Sequence, residues 1–231
     1  MLAKVLRLRL PARSRFLSAA LFLSLTVVSA RAQTSVPPNQ VSHFRDTSVL
    51  VPPPGVKVAI IEWEDLECPA CAHAFPFVHM AVDHYKIPLI RRDFHLPGHI
   101  WSLEASIYAR YLQDKVSPDI ATEYRREVFA SQFKIASKDD LNRFTQDFFT
   151  QHGKQLPFVI DPTGELAREV NADRELGEKL GLTETPTIVV VTPKAWIQVK
   201  DVSDLYQAID QAKAMVAKTP AAHRAAAKKK K

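Results

Sequence analysis

The 231-residue sequence predicts an α/β fold carrying an inserted all-helical subdomain, and three features of it carry that prediction. Residues 56–97 read as strand, helix, strand; residues 98–156 show helical periodicity alone; residues 157–217 read as helix, two short strands and a closing helix. Strand and helix alternating around a helical block is the pattern of one α/β core interrupted by an insertion. The length suits one core with an inserted subdomain, and 46% hydrophobic with 24% charged residues is the balance of a folded domain.

Before that core, Lys4, Arg7, Arg9, Arg13 and Arg15 precede the apolar run from Phe16 to Ala30 and the triplet Ala30-Arg31-Ala32. A basic start, a short apolar core and an A-x-A site make residues 1–32 a secretory signal peptide, with cleavage expected before Gln33. The run is short of the roughly 20 residues of a membrane span. Ser14 separates Arg13 from Arg15, so general secretion is expected rather than a twin-arginine route. Residues 33–55, with SVPPNQ and VPPPG, form a proline-rich lead-in, and order is expected to begin near Val56.

The β-branched run VKVAIIEW predicts a strand buried on both faces. The segment after Cys68 is helical in composition, with Pro76 expected to kink it or end its first turns, and IPLIRRDFHL supplies a second strand. In the insertion, Ile100, Leu103, Ile107 and Tyr111 fall at helical spacing. Ser117-Pro118 forms an N-cap and N1 pair ahead of Ile120, Tyr124 and Val128. Ser137 with Asp140 resembles a capping box before the stripe Leu141, Phe144 and Phe148, and Gly153 is placed to end that helix. DPTGELAREVNADRELGEKLGL predicts a helix broken near Asn171 to Asp173. TPTIVVVT and WIQVK predict strands, and Leu205, Ala208, Ile209, Ala212 and Met215 form the stripe of a last helix.

Charge is unevenly placed. Six of the 31 basic residues lie in 1–32 and six in 218–231, while all 25 acidic residues lie between. The central part is therefore acidic, which argues against a nucleic-acid-binding domain, and AAAKKKK reads as a solvated basic tail over 218–231. The glycines form no phosphate-binding pattern.

The chain holds two cysteines, Cys68 and Cys71, two residues apart in ECPAC. The first turn of a helix brings such a pair close enough to bridge. A structural staple across so short a loop constrains little of the unfolded chain. A zinc site would need Cys68 and Cys71 with His73 or His79, and a four-ligand cage is hard to complete from one helix. Attachment of c-type haem needs histidine at position 72, which is alanine. A redox pair remains. At a helix N-terminus the Cys68 thiolate is stabilised by free N–H groups and the helix dipole, and Cys71, one turn in, is the resolving thiol.

EWEDLECPACAHAFP followed by TETPTIVV resembles the DsbA-like thiol-disulfide oxidoreductases of the thioredoxin superfamily, over roughly Val56 to Met215. The resemblance implies a thioredoxin fold, formed here by 56–97 and 157–217, with its helical insertion at 98–156. It implies that Thr185-Pro186 is a cis-proline loop facing the thiols, where an extended cysteine-bearing peptide pairs, and that Pro69 and Ala70 also meet the substrate. It implies that Glu62, six residues before Cys68, is a buried acid that shuttles protons for Cys71. Pro76 matches the family's helix kink. Cysteine-containing protein substrates, a membrane redox partner, no cofactor and no metal follow, in an exported and most simply bacterial periplasmic protein. A monomer is expected, since 33–55 is too short to supply a dimerisation domain.

The dipeptide Pro69-Ala70 departs from the C-P-H-C of strongly oxidising members and the C-G-P-C of thioredoxins. Glu64, Asp65 and Glu67 read as a solvated acidic rim that raises the Cys68 pKa by like charge, so an intermediate potential is expected, with the direction of electron flow open. His95 and His99 lie where they could approach the site, although a surface or structural role is the commoner one. Two rivals share the fold: a redox-inactive peptide-binding or chaperone-like module, and a dedicated reductase for a narrow client.

Overall fold

The computed structural model of the protein describes residues 44–217. The expected signal peptide and basic tail, and the first part of the lead-in, lie outside the described residues. In order, the chain forms β1 (Ala59–Glu64), α1 (Pro69–Tyr85), β2 (Leu89–Asp93), α2 (Ser102–Lys115), α3 (Pro118–Ser131), α4 (Lys138–Gln151), α5 (Glu165–Leu180), β3 (Thr187–Val191), β4 (Trp196–Val199) and α6 (Leu205–Ala217).

The four strands lie in the order β2-β1-β3-β4. β1 runs parallel to β2 through the crossover helix α1 and antiparallel to β3, and β3 and β4 are antiparallel neighbours. Both central strands, AIIEWE and TIVVV, are buried at every position, which is why each reads as a nearly continuous apolar run. Alternate residues serve opposite faces. Ile60, Ile188 and Val190 pack under Ala74, Val78 and Ala81 of α1 and Leu205, Ala208 and Ile209 of α6. Ile61, Trp63, Val189 and Val191 pack with Phe94, Leu180 and Leu182 on the other face.

Order begins earlier than Val56. Leu50 is buried in the second of these clusters, a short 3-10 turn at Thr47–Val49 is capped by Asp46, and Arg45 N–H donates to the Leu180 carbonyl at 2.9 Å. The prolines around this turn exclude a helix or a central strand, but they do not prevent an apolar side chain from docking.

Within the insertion, Ser117 Oγ accepts from Ile120 N–H and Ser137 Oγ from Asp140 N–H, as the caps predict. Gly153 adopts φ 62° directly after α4, where a left-handed residue ends a helix. Helix α2 corrects the expected stripe: Ile100 precedes the helix and is 56% exposed, and the buried face is Ser102, Ala105, Ser106, Ala109 and Leu112. Of these, Ala105, Ala109 and Leu112 pack in one cluster with Ala121, Tyr124 and Val128 of α3. Helix α1 runs unbroken through Pro76, whose ring is exposed. Helix α5 is also unbroken, contrary to the expected interruption at Asn171 to Asp173. Asp173 is buried, and its carboxylate accepts from Arg92 Nη1 and Arg110 Nη2 at 2.6 Å each, so tertiary ion pairs outweigh its weak helix propensity. Among the described residues no helix is long and apolar enough to cross a membrane.

Candidate active site

The site forms where β1 ends and α1 begins. Cys68 is the N-cap of α1, with extended backbone at φ −83° and ψ 120°, and Pro69 follows at N1, where its missing N–H costs nothing. No side chain caps this helix, so its first N–H groups remain directed at the Cys68 sulfur. Cys68 is 7% exposed and Cys71 1%, while Pro69 and Ala70 are exposed. Both cysteines are free thiols.

A second element closes over them. The Thr185-Pro186 bond, just before β3, is cis. Cys68 Sγ lies 3.4 Å from the Thr185 carbonyl oxygen and donates to it as a thiol. Residues separated by 117 positions are thereby brought into contact. From below, Asp65 N–H donates to Cys71 Sγ at 3.4 Å.

These surroundings push the two thiols in opposite directions. The Cys71 thiol donates to the Cys68 sulfur and, together with the Thr185 side chain and the Cys71 and Ala70 N–H groups, lowers the Cys68 pKa to about 5 against the cost of burial. Burial raises Cys71 well above the usual thiol range, and its hydrogen bond to Cys68 adds to the rise. One thiolate and one thiol share the pair at neutral pH.

Glu62 is 1% exposed and lies on the face of β1 that α1 covers, two residues beyond Ile60. Neither of its carboxylate oxygens has a hydrogen-bond partner among the described residues. Burial first, and then the neighbouring Glu64 carboxylate, raise its pKa to about 8, so it holds a proton near neutrality. The structure thus brings Cys68, Cys71, Thr185, Pro186, Pro69 and Ala70 to one place, with Glu62 in the strand that leads into it.

The expected acidic rim is corrected. Glu64 and Asp65 are 1% and 0% exposed. Glu64 Oε1 is held by Arg91 Nε at 3.0 Å and by Arg125 Nη1 at 2.8 Å. The Asp65 carboxylate accepts from the N–H groups of Glu67 and Leu96, from the Ser102 hydroxyl, and from His99 Nδ1 at 2.7 Å. Glu67 turns away from the thiol and caps α2, its Oε2 accepting from Trp101 N–H at 2.8 Å and Ser102 N–H at 3.1 Å. Each carboxylate is thus spent on a cation or on backbone and hydroxyl donors, and the expected like-charge rise gives way to the fall that the hydrogen bond from Cys71 produces at Cys68. His99 joins the site through Asp65. His95 pairs instead with Asn171 at 3.1 Å on α5.

Sequence reading missed Gln132, whose Nε2 donates to the carbonyls of Leu66 at 2.8 Å and Cys68 at 3.1 Å. It sits in the 3-10 turn after α3, and nothing in its local sequence marks it. For Glu64 a signal existed: in a strand it shares a face with Glu62.

The zinc ligands weighed beside the cysteines are otherwise engaged. His79 Nε2 meets Arg91 Nη2 at 2.9 Å, and burial with that neighbouring cation lowers its pKa to about 4; His73 packs on Phe77. Glu123, Glu127 and His152 lie close enough to hold a cation, but on the insertion and apart from the thiols, and Glu123 is already ion-paired to Arg126. A cleft of about 420 Å³ lined by Lys57, Thr192, Pro193 and Met215 lies beyond the far end of β3 from Pro186.

Residues 47–211 match a family model described as thioredoxin. No curated protein matches the chain. Solved structures do. The oxidoreductase NmDsbA1 from N. meningitidis is similar at 18% identity and a TM-score of 0.53, over 72% of this chain and 87% of that one. The thiol-disulfide exchange protein α-DsbA2 from Wolbachia pipientis is similar at 18% identity and a TM-score of 0.51, over 68% and 83%. ScsC from Proteus mirabilis, in a transitional conformation, is similar at 18% identity and a TM-score of 0.55, over 72% and 71%. These likenesses are of fold.

Proposed function

Because the chain belongs to the thioredoxin family, with a DsbA-like helical insertion, we propose that it is an exported thiol-disulfide oxidoreductase that oxidises protein thiols through Cys68 and Cys71. The observation that carries this reading is the opposed titration of the two sulfurs, Cys68 lowered to about 5 and Cys71 raised. A stabilised thiolate makes the reduced form favourable and the disulfide oxidising.

In the oxidised protein a client thiolate attacks Cys68 Sγ. The Cys68–Cys71 bond breaks, a mixed disulfide forms, and Cys71 leaves with the electron pair and takes a proton supplied by Glu62, directly or through water. A second client thiolate then attacks the client sulfur and displaces Cys68 as a thiolate, a good leaving group because its pKa is low. The client gains one disulfide and the pair gains two electrons. Reoxidation calls for a membrane redox partner. Thr185 and Pro186 hold the extended client against the sulfur, with the exposed Pro69 and Ala70 beside it. The basic and apolar N-terminal segment supports export, most simply to a bacterial periplasm, and the protein works as a monomer without cofactor or metal.

The test is the equilibrium reduction potential of the pair in glutathione buffers, with Cys71→Ser used to trap mixed disulfides. A potential on the oxidising side, between about −120 and −200 mV, with cysteine-bearing proteins trapped on Cys68, is the expected outcome. A value of about −270 mV would identify a reductase serving a reduced client. Biological activity that survives Cys68→Ser would identify a redox-inactive binding module.

A further inference from the structure

We propose that Gln132 is a positioning residue for the nucleophile: its carboxamide holds the carbonyls of Leu66 and Cys68 together and so links the seating of the helical insertion to the reactivity of the Cys68 sulfur. The inference rests on the thiol-exchange reading above.

Both N–H groups of one amide are committed to one turn. Gln132 Nε2 lies 2.8 Å from the Leu66 oxygen and 3.1 Å from the Cys68 oxygen, across 66 and 64 residues of sequence. The Cys68 oxygen also accepts Ala72 N–H at 3.2 Å, the first hydrogen bond of α1. An amide that draws both oxygens toward the insertion keeps their negative ends turned from the sulfur. It also holds Cys68 in the extended N-cap conformation that places Sγ over the helix N-terminus and against Thr185.

Gln132 is itself rigidly presented. Three residues on, the carbonyl of buried Ile135 accepts the Trp101 indole N–H at 3.0 Å. Trp101 N–H in turn donates to Glu67 Oε2 at 2.8 Å, one residue before Cys68. The circuit Cys68, Gln132, Ile135, Trp101 and Glu67 is closed by side chain to backbone hydrogen bonds, and its members come from the reactive turn, the 3-10 turn after α3 and the start of α2. Above it, Phe129 of α3 packs on Phe75 of α1 with ring centroids 5.3 Å apart. A shift of the insertion against α1 is therefore felt at the Cys68 carbonyl through Gln132. Gln132 touches neither sulfur, so its action on the chemistry is through the turn.

The experiment compares reduced full-length wild type, Gln132→Met, Gln132→Glu and Tyr124→Phe. Thiolate ultraviolet absorbance and the rate of iodoacetamide alkylation are followed against pH, and urea unfolding is followed in parallel. Gln132→Met keeps the shape and removes the donors. The expected result is a rise in the Cys68 pKa that cuts the thiolate fraction on the acid side of its titration about fivefold, the scale of one neutral hydrogen bond. Gln132→Glu, which sets a carboxylate against two carbonyls, moves it further. Tyr124→Phe removes the 2.8 Å Tyr124–Thr145 hydrogen bond inside the insertion; it lowers stability and leaves the Cys68 profile in place. Folded Gln132 variants with the wild-type profile overturn the proposal, and so does a Tyr124→Phe profile that shifts equally. If Gln132→Met does not fold, Gln132→Asn, which keeps the amide and shortens its reach, takes its place under the same criteria. Alkylation needs no client: a wild type that exchanges no disulfide defeats the thiol-exchange reading, whereas a profile that depends on Gln132 in that same protein still supports the positioning role.

Discussion

Arg125 Nη1, from α3 of the insertion, lies 2.8 Å from Glu64 Oε1 at the end of β1 and 2.8 Å from Asp93 Oδ1 at the end of β2. Arg125 is 1% exposed, so a charge deep in the molecule ties the insertion to the two strands beneath the active-site turn. Arg125→Met leaves both carboxylates buried. Removing one partner of such a pair costs about 3–5 kcal/mol. Glu64 keeps Arg91 and Asp93 keeps Arg110, which places the expected loss at the lower end of that range, to be read from urea unfolding. A loss below about 1 kcal/mol, the scale of an exposed ion pair, would show that the site is effectively solvated.

Gly177 shows how closely α5 lies on the sheet. A Cβ added there would come within 2.6 Å of two ring carbons of Phe94 and 3.1 Å of Trp63. Both neighbours are ring atoms of buried residues, which cannot swing away. Gly177→Ala is therefore destabilising by about 1–3 kcal/mol, in spite of the better helix propensity of alanine. A rise in thermal stability would count against this packing.

What the sequence made legible was what depends on local pattern. Continuous β-branched apolar runs located the central strands β1 and β3, helical spacing located the helices although it misplaced the buried face of α2, and the caps at Ser117 and Ser137 formed as read. The C-x-x-C spacing marked the thiol pair, and the resemblance to DsbA-like proteins implied that Thr185-Pro186 faces it, as the Cys68–Thr185 contact shows. The rest depended on partners remote in sequence. Glu64, Asp65 and Glu67 looked solvated until Arg91, Arg125, His99 and the start of α2 were placed around them. Asp173 looked like a helix breaker until Arg92 and Arg110 reached it. A surface polar residue and a buried paired one are spelled alike.

The Cys68 pKa of about 5 gives the reduction potential a characteristic pH dependence. Above pH 5, and below the raised pKa of Cys71, reduction takes up two electrons and one proton, so the potential falls by about 30 mV per pH unit; below pH 5 two protons are taken up and the slope is about 60 mV. The stability of the reduced form follows the same titration. A depressed folded-state pKa contributes stability that is fully present above the unfolded value near 9.0 and is lost as pH falls through 5. Potential measured against pH, with unfolding of the reduced protein over the same range, checks both. A single slope of about 60 mV down from neutral pH would mean that the thiolate is not stabilised.

Glu62 carries the opposite sign. Its pKa rises from 4.5 in the unfolded chain to about 8 in the folded protein, so between those values the unfolded state releases the proton first and stability falls as pH increases. The cost accumulates to about 3 kcal/mol near neutral pH, at 1.36 kcal/mol per unit of difference. Glu62→Gln removes the titration. The variant should therefore be more stable than wild type at neutral pH, by an amount that shrinks toward pH 4.5, and its stability should not decline between pH 4.5 and 8. Under the proposed mechanism it also loses the proton carried for Cys71. Client oxidation by the variant should slow, and the limb of its pH–rate profile near 8 should disappear, whereas the Cys68 alkylation rate should stay close to that of wild type, since Glu62 is not among the groups that shift Cys68 and the proposed mechanism assigns it to the other sulfur. If Glu62→Gln keeps both the rate and the limb, the proton reaches Cys71 by another route; if the stability difference between variant and wild type, both in the disulfide form where Cys68 does not titrate, stays constant between pH 4.5 and 8, the buried carboxyl does not carry the raised pKa.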